Sequence, residues 1–433
     1  MNAAPTTSPI IFEDEASPRL AIHRYKLPCG LDVIIHPDNS VPQVCVSVWY
    51  RVGSSDETPE RTGFAHLFEH LFKNSQHMPA HHYEVLRRVG ASEANASTSS
   101  DRTAYYEVVP PNELALALWL ESDRMGYFMP GIDADRLAQQ QAVVRAERRQ
   151  RYEIVPYGPE RFALAAALYP EGHPARHLTI GLHDHIQAAT LDDVIEFYKA
   201  WYVPANATLV VAGDLDLAET RALIDQYFGS FPASKRPTRP VPALPPIQGP
   251  LRSTVQDEFA ALTRIHRAWH GPPAFVADEP ELDIVSSAWC AVGTGAMWRK
   301  LVYETQLAQR VSAWTLNGRI GGEIHVAVDL RTGADPVAVR AILDEECARG
   351  VDAESIARQV TRREASSIWS LSSLSRRANL LQRYALYTEE PDGLAADLAR
   401  YRAVTSASID AAIRRWLPPE RMVEIETVPL ARG

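Results

Sequence analysis

The sequence predicts an α/β (α+β) protein of two similar halves, each a mainly antiparallel sheet covered by helices, joined by a proline-rich linker. Three observations predict it. Short β-branched and aromatic runs, such as Val44–Tyr50 and Ala207–Gly213, alternate with longer amphipathic stretches, which is the pattern of packed sheet and helix layers. Residues 231–250 carry seven prolines, which excludes a helix or a central strand and leaves an extended connector. The order of elements before that connector recurs weakly after it, as an internal duplication of about 200 residues would produce. The expected organisation is a tail over 1–20, a first half over 21–230, the linker over 231–250 and a second half over 251–433.

Taken in order, residues 21–25 and 31–35 form a hairpin around Pro28, Cys29 and Gly30, and Val44–Tyr50 is the next strand. Residues 51–61 are a polar loop, and Thr62-Gly63 open a helix. A second helix covers 82–89 and stops at Gly90. Residues 97–109 read as one strand ended by Pro110-Pro111. Its Ser/Thr-rich start suits either an edge open to pairing with another chain or a plain solvent-facing strand. Helices follow over 112–125, 134–152, 191–201 and 217–227, with the strand 207–213 between the last two. After the linker, 262–269 matches the strand at 44–50. Residues 279–289 match the helix that opens at 63, without its histidines. Residues 323–330 are a strand, and 335–349 and 353–371 are helices.

Composition narrows the function. The chain has 433 residues, more than one ordinary core accommodates, with 46% hydrophobic and 23% charged residues and a net charge of -10. The acidic balance argues against nucleic-acid binding. No run approaches the roughly 18 apolar residues of a membrane span, so no membrane insertion is expected. Cys29, Cys45, Cys290 and Cys347 form no C-x-x-C pair and read as thiols rather than a metal or redox motif. The first twenty residues lack the basic start and apolar stretch of a signal peptide, and resemble a mature terminus left after cleavage or one cut for expression.

The chemistry centres on Gly63-Phe64-Ala65-His66-Leu67-Phe68-Glu69-His70-Leu71-Phe72. On a helix, positions i, i+3 and i+4 share a face, so His66, Glu69 and His70 project together while Leu67, Phe68, Leu71 and Phe72 face a core. Two imidazoles at that spacing make a zinc half-site, and the carboxylate beside them can handle a proton. The H-x-x-E-H order is the inverted form of the common zinc-protease motif. The competing reading is an amphipathic helix with surface histidines. A catalytic zinc takes three protein ligands and keeps one open position. The candidate third ligand is Glu147, on a helix given an apolar face by Val143, Val144 and Ala146. The competing reading there is one more surface charge in an Arg/Glu helix, among Arg145, Arg148 and Arg149. His77, His81, His82, His173, His177, His183 and His185 compete as ligands. His81 and His82 are adjacent and point apart on a helix.

These residues resemble the pitrilysin, insulin-degrading enzyme and mitochondrial processing peptidase family of inverted-motif zinc peptidases. The likeness runs through Gly63 to Lys73, Asn95-Ala96-Ser97-Thr98, Asp101-Arg102-Thr103-Ala104-Tyr105, Gly172-His173-Pro174, Ile180-Gly181, and Tyr202 to Asp214. It implies two similar α/β halves and a Zn²⁺ held by His66, His70 and Glu147, since family members carry the third ligand about 76 residues beyond the second histidine. It implies Glu69 as catalytic base and a peptide strand docked along Asn95, Ala96, Ser97 and Thr98.

The size resembles the short bacterial subfamily, in which two chains enclose a chamber. Two positions depart from the family. Gln140 stands where a second acidic residue is usual. Tyr303 and Gln309 stand where an Arg and a Tyr would grip the substrate carbonyl. The expectation is therefore the zinc-binding subunit of a peptidase heterodimer whose homologous non-zinc partner supplies that pair. The expected compartment is the periplasm, with the cytoplasm as the alternative. The alternative functions are a noncatalytic scaffold subunit of a larger assembly and a zinc carrier.

Overall fold

A computed structural model describes residues 10–12, 18–73, 75, 77 and 82–430. From the N-terminus come strands β1 (Ile10–Phe12), β2 (Pro18–Leu20), β3 (His23–Lys26), β4 (Asp32–Pro37) and β5 (Val44–Tyr50), then helices α1 (Phe64–Leu71) and α2 (His82–Arg88). Strands β6 (Glu93–Thr98) and β7 (Thr103–Val109) lead to α3 (Leu114–Tyr127), α4 (Ala134–Arg148), α5 (Gly158–Leu168), α6 (His183–Ala188) and α7 (Leu191–Trp201). Then follow β8 (Ala207–Gly213), α8 (Leu217–Phe228), β9 (Leu251–Asp257), β10 (Arg264–Gly271), α9 (Glu279–Cys290), α10 (Ala296–Trp298), β11 (Ala308–Asn317) and β12 (Gly322–Leu330). Helices α11 (Pro336–Ala348), α12 (Ala353–Ser370), α13 (Leu374–Tyr387), α14 (Leu394–Arg402) and α15 (Ser406–Trp416) precede the last strand, β13 (Val423–Pro429).

The chain forms two compact units. The first comprises 1–145, 179–240 and 366–397; the second comprises 146–178, 241–365 and 398–433. The first carries a six-stranded sheet in the order β3-β4-β8-β5-β7-β6, in which only β4 and β8 run parallel. Every residue of β5 is buried, because this central strand is paired on both edges and packed by α3 and α13. Gln382 of α13 donates to the Ser47 carbonyl at 2.7 Å. The second unit carries a five-stranded sheet in the order β11-β12-β10-β13-β9, in which only β9 and β13 run parallel. One of its cores joins Ile265, Trp269 and Val326 to Val339, Leu343 and Ile409, and another joins Leu164 and Leu168 of α5 to Ala268 and Ile425.

The two similar, mainly antiparallel halves are as expected, but neither unit is contiguous in sequence. Helix α5 belongs with the second sheet and α13 with the first. Both follow their apolar faces: Leu164 and Leu168 bury against β10 and β13, while Ala378, Leu381 and Ala385 are buried on the helix that packs on β8 and β5. Residues 231–250 contain no helix or strand, as seven prolines require. The expected tail is in part a small sheet, with β1 pairing antiparallel to β2 from Ile10↔Leu20 to Phe12↔Pro18.

Residues 97–109 are not one strand. Ser99 to Arg102 turn the chain back, so that β6 pairs with β7 from Glu93↔Val108 to Thr98↔Thr103. The Ser99 hydroxyl accepts from the Asp101 and Arg102 amides at 3.3 Å, and the Ser99 amide donates to the Arg102 carbonyl at 2.9 Å. Side-chain capping of this kind is how Ser and Asp close turns. The helix expected over 134–152 ends at Arg148 and continues as a wider π-turn over Arg149–Glu153.

Candidate metal centre

Helix α1 is short and would be marginal alone. Its partners fix it. Phe68 stacks on Tyr202 at 4.8 Å, and Phe72, just past its end, meets Phe128 at 4.7 Å, Tyr202 at 4.9 Å and Tyr105 at 5.5 Å. Phe64, Phe68 and Phe72 are fully buried, and each stabilises the docked helix by about 2–3 kcal/mol. The Tyr105 hydroxyl donates to the Phe68 carbonyl at 3.4 Å, and burial holds that phenol well above its ordinary pKa.

The helix start is built as tightly. The backbone enters through Gly63 at φ 88°, a left-handed conformation that favours glycine. A Cβ there would lie 2.6 Å from Ile186 Cδ1 and 2.9 Å from Gly181 Cα. Thr62 Oγ1 accepts from the Leu182 amide at 3.1 Å and lies 2.9 Å from His185 Nδ1.

With the apolar face inward, His66, Glu69 and His70 come together on the other side. Their ligand atoms all lie within 4.8 Å of one another, and the two imidazole rings are 4.9 Å apart at 79°. The histidines are half-buried and Glu69 is buried. The two imidazoles fit a first-row divalent cation such as zinc, and the Glu69 carboxylate beside them is close enough to act on a water held there. Glu147, the expected third ligand, lies on the last turn of α4 with its Oε1 2.8 Å from Arg151 Nη1. On α4 only Val144 of the supposed apolar face is buried; Val143 is 42% exposed, so that face is narrower than the sequence suggested. Arg148 pairs with Glu153 at 2.8 Å and covers the Phe162 ring.

Several competing histidines are engaged elsewhere. His77 Nδ1 lies 2.6 Å from Asp123, His82 Nδ1 accepts from Arg124 at 2.9 Å, and His173 stacks on Tyr169 and accepts from the Ala175 amide. His177 and His183 are not in the metal-capable group, and His81 lies outside the described residues.

Strand β6 pairs only with β7 among the described residues, so its other edge carries no strand. Asn95 is exposed and its side-chain oxygen accepts from the Ala96 amide. Ser97 takes two hydrogen bonds from Arg102, at its carbonyl and its hydroxyl, and the Arg102 guanidinium lies over Trp49. Thr98, expected among the peptide-binding residues, directs its hydroxyl to Glu69 Oε2 at 2.7 Å. Gln140 lines a cavity of about 210 Å³ with Leu71 of α1, Phe128 and Arg136. Tyr303 is 71% exposed beside Trp298, and Gln309 sits at the bulge where the β11–β12 register shifts.

Sequence reasoning missed the Thr98–Glu69 bond and the role of Glu57, which binds the α1 amides. The first depends on strand register, and the second on a loop that folds back across six residues. Neither leaves a local spacing signal.

Two family models match the chain. Insulinase (Peptidase family M16) matches residues 32–151, and Peptidase M16 inactive domain matches residues 188–362. The chain belongs to peptidase family M16. The first match spans the His66/Glu69/His70 helix and Glu147. This M16 chain is 30% identical over 262 residues to the zinc protease PqqE of Helicobacter pylori, covering 59% of this chain and 58% of that protein. It spans about half the length of the curated relatives it matches. Its fold is that of a protease from Helicobacter pylori (TM-score 0.87, 23% identity, 94% of this chain and 99% of that one). It also matches the periplasmic protease PqqL from Escherichia coli (TM-score 0.76, 19% identity, 97% of this chain and 48% of that one).

Proposed function

We propose that the chain is the metal-holding subunit of a zinc endopeptidase that cleaves peptides or unfolded segments inside a clam-shell chamber shared with a homologous subunit. The observation that carries this reading is the convergence of His66, Glu69 and His70 on one face of a helix whose other face is locked in an aromatic core. The naming of curated relatives as zinc proteases supports it.

His66 and His70 would hold the zinc, with Glu147 as third ligand. Glu147 gives Oε1 to Arg151, an i,i+4 partner whose side chain is 73% exposed, so that pair is weak, and a carboxylate has a second oxygen that can serve as a ligand atom. When bound, zinc supplies Lewis acidity, acidifying a water toward a pKa of about 7 and polarising a carbonyl. Glu69 stays off the metal, takes the proton of the attacking water and delivers it to the leaving amine. The open edge of β6 at Asn95, Ala96 and Ser97 suits a peptide strand added by backbone hydrogen bonds. Tyr303 and Gln309 stand where an oxyanion-binding Arg and Tyr would be needed, so the partner subunit supplies them. The periplasm is the proposed compartment, in keeping with the periplasmic PqqL.

The test is metal analysis of the purified chain, then peptidase assays alone and with its homologous partner. About one zinc per chain, and cleavage only with the partner, support the proposal. No zinc points to the noncatalytic scaffold, and zinc with no cleavage in any pairing points to a carrier. Full activity of the single chain overturns the two-subunit requirement.

A further inference from the structure

We infer that Thr98 is a positioning residue for Glu69, holding one carboxylate oxygen so that the other is presented to water. The inference rests on the peptidase reading above. A carboxylate has two oxygens, and a glutamate reaches them through three torsions, so a base on a helix needs an external contact to aim it. The Thr98 hydroxyl supplies that contact at 2.7 Å from Oε2, within the range of a charge-assisted bond.

Thr98 is itself well fixed. It is β-branched, so few χ1 positions are open to it, and it ends β6 directly opposite Thr103. Thr103 is fully buried, donates to the Val52 carbonyl at 2.9 Å and accepts from Tyr202 at 3.4 Å. Arg102 closes the same hairpin from Ser97. The hydroxyl therefore inherits its direction from the sheet. Because β6 is also the open edge, a peptide added there would be positioned by the strand that aims the base.

The test compares Thr98→Val, which keeps the shape and removes the hydroxyl, with Thr98→Ser, which keeps the hydroxyl. Both are made in the zinc-loaded complex with the partner subunit. Expected for Thr98→Val are a kcat loss of about 10- to 100-fold, KM nearly unchanged and full zinc content, with Thr98→Ser recovering most of the rate. A Thr98→Val enzyme with normal kcat and raised KM makes Thr98 a peptide contact only and overturns the inference. So does a Thr98→Ser enzyme as slow as Thr98→Val, which would mean the methyl matters and not the hydroxyl.

A second measurement needs no activity. Urea midpoints of Thr98→Val, Glu69→Ala and the double variant should shift non-additively, and additive shifts mean the bond is not made. A wild type that binds no zinc and cleaves nothing with any partner overturns the peptidase reading and this inference with it. Active wild type with unaffected Thr98→Val overturns this inference alone.

Discussion

Both oxygens of the Glu57 carboxylate accept a backbone N–H from the start of α1, Oε2 from Gly63 and Oε1 from Ala65, each at 2.7 Å. The first amides of a helix have no partner within it, and a carboxylate there satisfies two of them while facing the positive end of the helix dipole. The capping group comes from the loop before the helix, and it is buried. Removing it strands two inward-facing donors. Glu57→Ala is expected to destabilise the protein by about 2–4 kcal/mol, read as a lower urea midpoint. Zinc affinity should fall with it, because the turn carrying His66 begins at these amides. A Glu57→Ala protein as stable as wild type would mean that water replaces the cap at no cost.

The contact between Gly63 and Gly181 yields a second prediction. Gly181 has φ 71°, and a Cβ on it would lie 2.4 Å from the Thr62 carbonyl and 2.5 Å from Gly63 Cα. At Gly63 the nearest obstacle is Ile186 Cδ1 at 2.6 Å, the movable end of a side chain, and the backbone atoms it would meet, Gly181 Cα and the Ile180 carbonyl oxygen, lie farther off at 2.9 Å. Backbone cannot yield as a rotamer can. Gly181→Ala should therefore cost more than Gly63→Ala, by about 1–2 kcal/mol beyond the strain both share from their positive φ. Thermal melting of the two variants decides the order.

A third concerns pH. Glu107 and Glu121 are buried together beside Arg124, and burial raises the pKa of both, with the charge of Glu121 adding to the effect on Glu107. Arg124 lies 3.2 Å from Glu121 and stacks on Tyr105, beneath the metal helix. The folded pKa lies above the unfolded one, so the folded chain binds the extra proton. The resulting stability is full below the unfolded value near 4.5 and is lost as pH rises through the folded value. Glu107→Gln carries that proton's equivalent permanently. Relative to wild type it should gain stability as pH rises from 5 to 8.5, by up to about 1.4 kcal/mol per pH unit until the folded value is passed. Urea unfolding across that range checks it, and a gap independent of pH would mean that Glu107 is ionised in the fold.

How much of this was legible beforehand follows from how local each feature is. The H-x-x-E-H face needs only the 3.6-residue period, and Val44–Tyr50 only its β-branched run, so both stand where the sequence puts them. The hairpin at 97–109 reads as one strand because Ser99-Ser100-Asp101-Arg102 contains neither Gly nor Pro, and its turn rests on a side-chain oxygen. Helices α5 and α13 were missed as covers because their sheets lie far away in sequence. Arg51 illustrates the same limit. It reads as loop polarity, yet it is buried, donating to the Ala385 carbonyl at 2.7 Å and to Glu389 at 2.8 Å, more than 330 residues away. Long-range pairing of this kind has no periodicity to detect. Glu147 stands between these cases: its own surroundings in the sequence read as an Arg/Glu helix, and it is the family resemblance that nominates it, through the spacing from His70.

The last prediction concerns the second unit. Tyr303 is exposed on a π-helical turn with its ring nearly parallel to Trp298, and Gln309 is exposed at a β-bulge on the edge strand β11. Neither holds a core together, so Tyr303→Arg with Gln309→Tyr should change the urea midpoint by no more than about 0.5 kcal/mol in stability. The six-residue spacing then reinstates an Arg and a Tyr on the same chain as His66, Glu69 and His70. If the partner subunit is needed only for that pair, the double variant should cleave a test peptide without it, and addition of Glu69→Gln should abolish the gain. A folded, zinc-loaded double variant that still cleaves nothing would mean that the partner contributes more than two side chains. The chamber wall itself would then be the next element to test.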